Sequence, residues 1–185
     1  MTILQNKLTK ILAFSGMALA LGYVASYIKI ASLPMGGSTT LLSMLFICLI
    51  GYWYGLKVGL MAAVAYGILQ FLQRPIAIHP MQPIIDYILA FGALGLSGIF
   101  KDRRNGLIIG YLVAVFCRFF FHFLSGLIFF TDYTGINFAG ACISSFTYNM
   151  TYILPEVIIT VVILILPPVK AAMNKVKELS SINPQ

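Results

Sequence analysis

Arg118 and His122 stand four residues apart in RFFFHFLSG, residues 118–126, a run whose neighbours GLIIGYLVAVFC and LIFF are apolar. An ionisable side chain at membrane depth is costly, about +2.5 to +3.5 kcal/mol for arginine, so such residues face a bundle interior or a wet cavity. Arg118, His122 and Ser125 share one helical face. Three more polar stripes have the same character: Tyr66, Gln70 and Gln73; then Gln82 and Asp86; then Ser145, Asn149, Tyr152 and Glu156. Asp86 and Glu156 are two acids against one arginine, and Tyr87, Phe130, Tyr133, Tyr148 and Tyr152 supply aromatic surface. Acids plus aromatics suit a flat, cationic, hydrogen-bonding ligand. Stacking a cation on a ring contributes about 0.5–2 kcal/mol, and carboxylates add directional acceptors. Two other uses compete: an internal Arg118–Asp86 or Arg118–Glu156 ion pair, and interhelical hydrogen bonds that only hold a bundle together.

The elements that position these groups follow from composition. Of 185 residues, 60% are hydrophobic and 9% charged, too few charges to cover a soluble domain of this length. The chain therefore reads as one polytopic, all-α membrane domain over residues 1–185. Breaks at charges, glycines and prolines delimit six spans, at 11–33, 39–54, 58–73, 83–100, 106–130 and 137–169. About 20 residues cross a bilayer core, which makes the second and third short and the sixth long. Pro155 lies inside the sixth, where it removes a backbone donor.

Charge sets the expected orientation. With the N-terminus inside, Lys7, Lys10, Lys57, Lys101, Arg103, Arg104, Lys170, Lys175 and Lys177 fall on the cytoplasmic side, nine of the twelve basic residues. That is the positive-inside pattern, giving an N-in, C-in six-helix bundle among membrane lipid. The net charge of +7 needs no nucleic acid to explain it. In this orientation the polar stripes fall in the outer halves or near mid-depth, which predicts a pocket open to the outside and sealed towards the cytoplasm.

Absent motifs narrow the function further. There is no G-x-x-x-x-G-K-[ST], no H-E-x-x-H, no G-x-S-x-G and no Cys/His metal pair, so no enzyme, cofactor or metal site is expected. Cys48, Cys117 and Cys142 read as small buried hydrophobes. Uphill transport would draw its energy from a partner or an ion gradient. The loop SLPMGGSTT carries Gly36, Gly37 and Ser38, either as a close backbone approach to a ligand or as a plain turn. In span 1, Gly16, Ala18, Ala20 and Gly22 form a small-residue surface, suited to packing inside the bundle or to docking another membrane subunit.

LPMGGSTTLLSM, YGLKVGLMAAVAYGILQ, PIIDYILAF, RFFFHFLSGLIFF and YNMTYILPE occur in this order over roughly residues 8 to 170. In order and spacing they resemble the thiamine-specific substrate-binding (S) components of energy-coupling-factor vitamin transporters. The resemblance implies a high-affinity vitamin-capturing subunit in a bacterial plasma membrane, working with a transmembrane coupling subunit and two cytoplasmic ATPases. It implies binding roles for Asp86, Tyr87, His122, Phe130 and Asn149, and it favours span 1 as the docking surface. Tyr148 would line the pocket, Glu156 would be a second acceptor or the partner of Arg118, and Pro34 to Ser38 would act as a lid. Two positions depart from the family pattern: aspartate stands at 86 and phenylalanine at 130, where glutamate and tryptophan are usual. The implied ligand is thiamine or a related cationic heterocycle. Outside this family, the same polar groups would suit a solitary proton-coupled transporter with Asp86, His122 and Glu156 as relay, or an intramembrane hydrolase.

Overall fold

The computed structural model describes residues 2–181, with the side chains of residues 2–4, Met35 and 130–134 outside that description. Helix α1 (Thr2–Ala25) is followed by a two-stranded antiparallel hairpin, β1 (Lys29–Ser32) and β2 (Ser38–Thr40). Helices α2 (Ser43–Tyr54) and α3 (Leu56–Gln73) come next. They are followed by α4 (Ile84–Phe100), α5 (Gly106–Thr134), α6 (Phe138–Ile165) and α7 (Pro167–Ser180). The described residues are thus mostly helical, with one hairpin and a non-helical segment joining α3 to α4. Among the described residues, four helices are long and apolar enough to cross a membrane: Gln5–Ala25, Leu56–Gln73, Gly106–Phe129 and Phe138–Ile165.

Two expected spans end elsewhere than the apolar pattern suggested. The run read as 11–33 is helical only to Ala25. Beyond it, Lys29 pairs with Thr40, Ala31 with Thr39 and Ser32 with Ser38. β-Branched Ile28 and Ile30 continue the hydrophobicity but suit the extended backbone. The run read as 137–169 breaks at Leu166, which is extended (φ −63°, ψ 129°). Proline disfavours the helical region for the residue before it and is pre-set for the first turn of the next helix, so Pro167 and Pro168 end α6 and start α7.

α2 and α4 are shorter than the other apolar helices. The 12 residues of α2 rise only about 18 Å, against a hydrocarbon core of about 30 Å. Non-helical backbone is tolerated at membrane depth only where protein buries it or a wet cavity takes it. The hairpin and the segment joining α3 to α4 are that backbone, and both border the cavity described below. α4 is itself irregular. It opens as a π-helical turn (Ile84–Leu89), passes through one α turn (Ala90–Gly92) and ends as a 3₁₀ helix (Ala93–Phe100).

At the end nearer α7, the helices touch backbone to backbone. A methyl group on Gly95 would stand 2.5 Å from the Gly59 carbonyl carbon, and one on Gly98 2.5 Å from that of Gly55. One on Gly59 would stand 2.7 Å from the Gly51 Cα, and one on Gly110 2.7 Å from the Ser97 carbonyl oxygen. Ser97 Oγ donates to the Cys48 carbonyl at 2.8 Å. α7 closes this end. Its Val169 and Met173 pack on the core, Lys177 Nζ donates to the Lys101 carbonyl at 2.8 Å and lies 4.0 Å from the Tyr52 ring centroid. Lys10 Nζ reaches the Ser181 carbonyl at 2.8 Å.

Candidate functional site

At the opposite end the helices part around a cavity of about 580 Å³, walled by α2 to α6 and covered on one side by the hairpin. Asp86, Tyr87, His122, Tyr148, Asn149, Glu156, Gly36, Gly37 and Ser38 all line it. Phe130 lies in α5, but its side chain is outside the described residues. The four polar stripes seen in the sequence thus meet at one place, with Tyr66, Gln70 and Gln73 on the α3 wall.

A hydrogen-bonded chain runs along the cavity wall from α4 to α5. Gln82 Nε2 donates to Asp86 Oδ2 at 3.0 Å. Asp86 Oδ1 lies 3.1 Å from His122 Nδ1, and Arg118 Nε donates to His122 Nε2 at 3.3 Å. A His122 Nε2 that accepts from arginine leaves the ring proton on Nδ1, where it donates to Asp86. A neutral imidazole therefore bridges the guanidinium and the carboxylate. The Arg118 guanidinium carbon sits 4.0 Å from the Phe91 ring centroid, a cation–π contact. Among the described residues Arg118 makes no ion pair, so neither direct pairing considered from the sequence is formed.

The π turn is what presents Asp86 and Tyr87 together. A methyl on Gly67 of α3 would collide with the Tyr87 carbonyl oxygen, so the wide turn lies directly on a bare stretch of α3. π turns recur at functional sites because they re-aim side chains within an otherwise continuous helix. The Tyr87 hydroxyl donates to the Arg74 carbonyl at 2.8 Å, and its ring lies parallel to Phe91 at 6.1 Å.

Glu156 has a different task from either one expected of it. It is 3% exposed and its carboxylate accepts four hydrogen bonds. Oε2 takes the Thr40 hydroxyl at 2.7 Å and the Thr40 N–H at 3.3 Å. Oε1 takes the Met44 N–H at 3.1 Å and the Ser43 hydroxyl at 3.2 Å. The negative charge thus sits on the N-terminus of α2, where unpaired amides and the helix dipole favour it. It ties β2, α2 and α6 together and does not pair with Arg118.

The hairpin is held to α6 by three more bonds. The Tyr148 hydroxyl donates to the Pro34 carbonyl and accepts from the Gly37 N–H at 2.8 Å. Thr39 Oγ1 donates to the Tyr152 carbonyl at 3.1 Å. The paired glycines have separate reasons. Gly36 adopts φ +100°, a region L-residues avoid. A methyl on Gly37 would stand 2.7 Å from the Tyr148 hydroxyl oxygen. Asn149 points along α6, donating to the Ser145 carbonyl at 2.9 Å and accepting from the Tyr152 hydroxyl at 2.6 Å.

Sequence reasoning missed Thr40 and Ser43 as the partners of Glu156. The only local sign was a run of hydroxyl residues before an apolar segment, the pattern of a helix start. It also missed Phe91 beneath Arg118, which has no sequence signature in so apolar a stretch. The small-residue surface of α1 divides. Ala18 and Gly22 are buried, and Gly22 faces Phe46, Ile47 and the Ser43 carbonyl of α2. Gly16 and Ala20 are exposed, and a methyl on Gly16 would meet nothing.

Comparison with known proteins bears on this arrangement. A sequence model described as "Thiamine transporter protein" matches residues 12–176. The thiamine transporter ThiT of Bacillus subtilis (strain 168) is 35% identical over 149 residues, which cover 73% of this chain and 77% of that protein. A solved structure of ThiT from Listeria monocytogenes superposes with a TM-score of 0.58 over 92% of each chain, at 21% identity. That likeness is one of fold. Family sequence and helical fold agree, and they make this chain a multi-pass membrane protein of the thiamine transporter family, a transport protein and not an enzyme.

Proposed function

We propose that the chain is the substrate-capturing S component of an energy-coupling-factor uptake system and that it binds thiamine in the cavity between α3, α4, α5, α6 and the hairpin. The observation that carries the reading is the Gln82–Asp86–His122–Arg118 chain at the wall of a cavity of about 580 Å³ in a member of the thiamine transporter family. A pocket of this size suits a small organic ligand. Asp86 holds its charge ready-oriented by two donors and accepts from the ligand's amino group. His122, Tyr87 and Tyr148 border the ring system, and Phe130 and Asn149 complete the site. Gly36, Gly37 and Ser38 form a lid, with Glu156 and Tyr148 as its anchors.

The bundle α1–α6 forms a single membrane domain with both termini in the cytoplasm of a bacterium, α7 lying at the cytoplasmic end. The basic residues clustered at the α7 end support this orientation by the positive-inside rule. No ATP-binding loop occurs in the sequence, so energy comes from two cytoplasmic ATPases through a transmembrane coupling subunit. The exposed Gly16 and Ala20 of α1 offer that subunit a close approach. Ala18 and Gly22 do not, being buried inside the bundle.

Calorimetric titration of thiamine into the purified, detergent-solubilised protein tests the reading. One-to-one binding is expected. The absence of binding to well-folded protein, confirmed by a second method, would overturn thiamine as the ligand.

A further inference from the structure

Ser125 lies on α5, three residues beyond His122, and lines the cavity while only 2% exposed. Its hydroxyl has no hydrogen-bond partner among the described residues. In a helix a serine or threonine hydroxyl ordinarily turns back to a carbonyl four residues earlier. Other side chains of this protein behave in that way: Thr9 donates to the Gln5 carbonyl at 2.9 Å and Thr151 to the Thr147 carbonyl at 2.7 Å. Facing Ser125's part of α5 from α6, Ser145 Oγ is likewise engaged, donating to the Phe123 carbonyl at 2.9 Å. Among the described residues three helical hydroxyls depart from this pattern, those of Ser15, Ser125 and Thr160, and of the three only Ser125 belongs to the cavity lining. A second buried donor is also unspent on the cavity wall, Gln70 Nε2 of α3.

The cavity's other polar groups fix what such donors can be for. Asp86 only accepts, and it therefore takes the donor of a ligand. An aminopyrimidine of the thiamine type carries one ring nitrogen two bonds from its amino nitrogen and a second across the ring, and both only accept. Ser125 is one helical turn from the histidine that touches Asp86, so it reaches the same ring. We propose that the Ser125 hydroxyl is a specificity-determining donor to a ring nitrogen of the bound aminopyrimidine, with the Gln70 carboxamide as a second donor on the neighbouring wall. The site then reads donor and acceptor pattern, and does not rely on stacking area alone. A hydroxyl that loses its partner in a buried site discriminates more strongly than a methylene contact does.

This inference rests on the thiamine reading, and one experiment separates the two. Thiamine and its two analogues with a single pyrimidine nitrogen replaced by C–H are titrated into wild-type protein and Ser125→Ala, and the thermal midpoint of each unliganded protein is measured. Expected is about tenfold weaker thiamine binding by Ser125→Ala. One analogue should bind wild type about tenfold more weakly than thiamine does, yet be indifferent to the substitution. The unliganded midpoint should be unchanged or higher, since no internal bond is lost. Wild-type protein that fails to bind thiamine ends the thiamine reading and this inference with it. Wild type that binds while Ser125→Ala matches it within twofold ends this inference alone. So does a variant that weakens thiamine and both analogues by one factor, or that loses binding together with a lowered midpoint. Gln70→Met, run in parallel, is expected to show the same pattern towards the other nitrogen, and equal losses on all three ligands would remove it from the proposal.

Discussion

The two ends of the bundle solve opposite problems with the same helices. Towards α7, α2, α3 and α4 meet through Gly51, Gly59, Gly95 and Gly98, with no side-chain layer between them. Towards the hairpin, the same three helices end short or unwind, and polar side chains face a cavity. Close backbone packing is a main source of helix association where lipid removes the hydrophobic drive. The glycine end therefore supplies stability that the cavity end, with its open volume and charged groups, does not. On the function proposed above, stability and recognition are segregated along the helix axes.

The sharpest way to break that comparison is to thicken the glycine end. Gly95→Val places branched carbon where even a methyl stands 2.5 Å from backbone, and it is expected to destabilise by about 3 kcal/mol or more. Thermal unfolding in detergent would read this as a large fall in midpoint, with whatever protein remains folded still able to bind thiamine. A variant as stable as wild type would show that the helices part without cost, and the segregation would fail.

Asp86→Asn probes the other end. It keeps the shape and the contact with Gln82 but removes the charge, and thiamine affinity is expected to fall about a hundredfold, or about 2.7 kcal/mol. The unfolding midpoint should hardly move, because Asp86 is still 17% exposed at the cavity. A loss of stability as large as the loss of binding would mark Asp86 as part of the scaffold.

Glu156 sits between the two regimes and sharpens the contrast. Glu156→Gln keeps the size, but its amide group turns a donor towards the amides and hydroxyls of Thr40, Ser43 and Met44. An expected loss of about 2 kcal/mol follows from charge-assisted bonds given up in a buried site, measured by chemical or thermal unfolding of the empty protein. Unaltered stability would mean the four bonds to the carboxylate contribute nothing net.

Tyr148→Phe should be the mildest. It deletes the two bonds that hold Pro34 and Gly37 while preserving the ring. At about 1 kcal/mol for the latch, thiamine dissociation should quicken roughly fivefold in stopped-flow displacement, with little change in unfolding. An unchanged dissociation rate would show that the hairpin is not what retains the ligand.

The polar half of this arrangement was legible in the sequence because charge and amide are expensive in apolar runs. Arg118, His122, Asp86, Asn149 and Glu156 stand out for that reason, and helical spacing puts each on a definite face. The order of the apolar segments likewise pointed to the right family. The packed half was not legible, since glycine within an apolar run carries no sign of what it touches. The hairpin was hidden by the continuous hydrophobicity of residues 11–33. Periodicity in a short apolar stretch does not separate strand from helix. The partners of Glu156 lie more than a hundred residues away in the chain, and no local pattern could assign them. Nor could spacing reveal that His122 would stand between Arg118 and Asp86, since that needs the relative height of α4 and α5.

The π turn of α4 has a consequence for how this sequence tolerates changes in length. A wide turn holds one residue more than an α turn of the same rise. Deleting any single residue within 84–89 would let the segment close into ordinary α-helix, leaving no break in the chain and little change in hydrophobicity. The helix on either side would keep its face, since the wide turn is where the extra residue is absorbed, but the side chains of the turn itself would be re-aimed, carrying Asp86 away from His122 or Tyr87 away from Phe91. Relatives that keep this cavity must therefore keep the residue count of the segment, whichever side chains fill it, and an alignment gap here would mark the loss of the site more surely than a substitution.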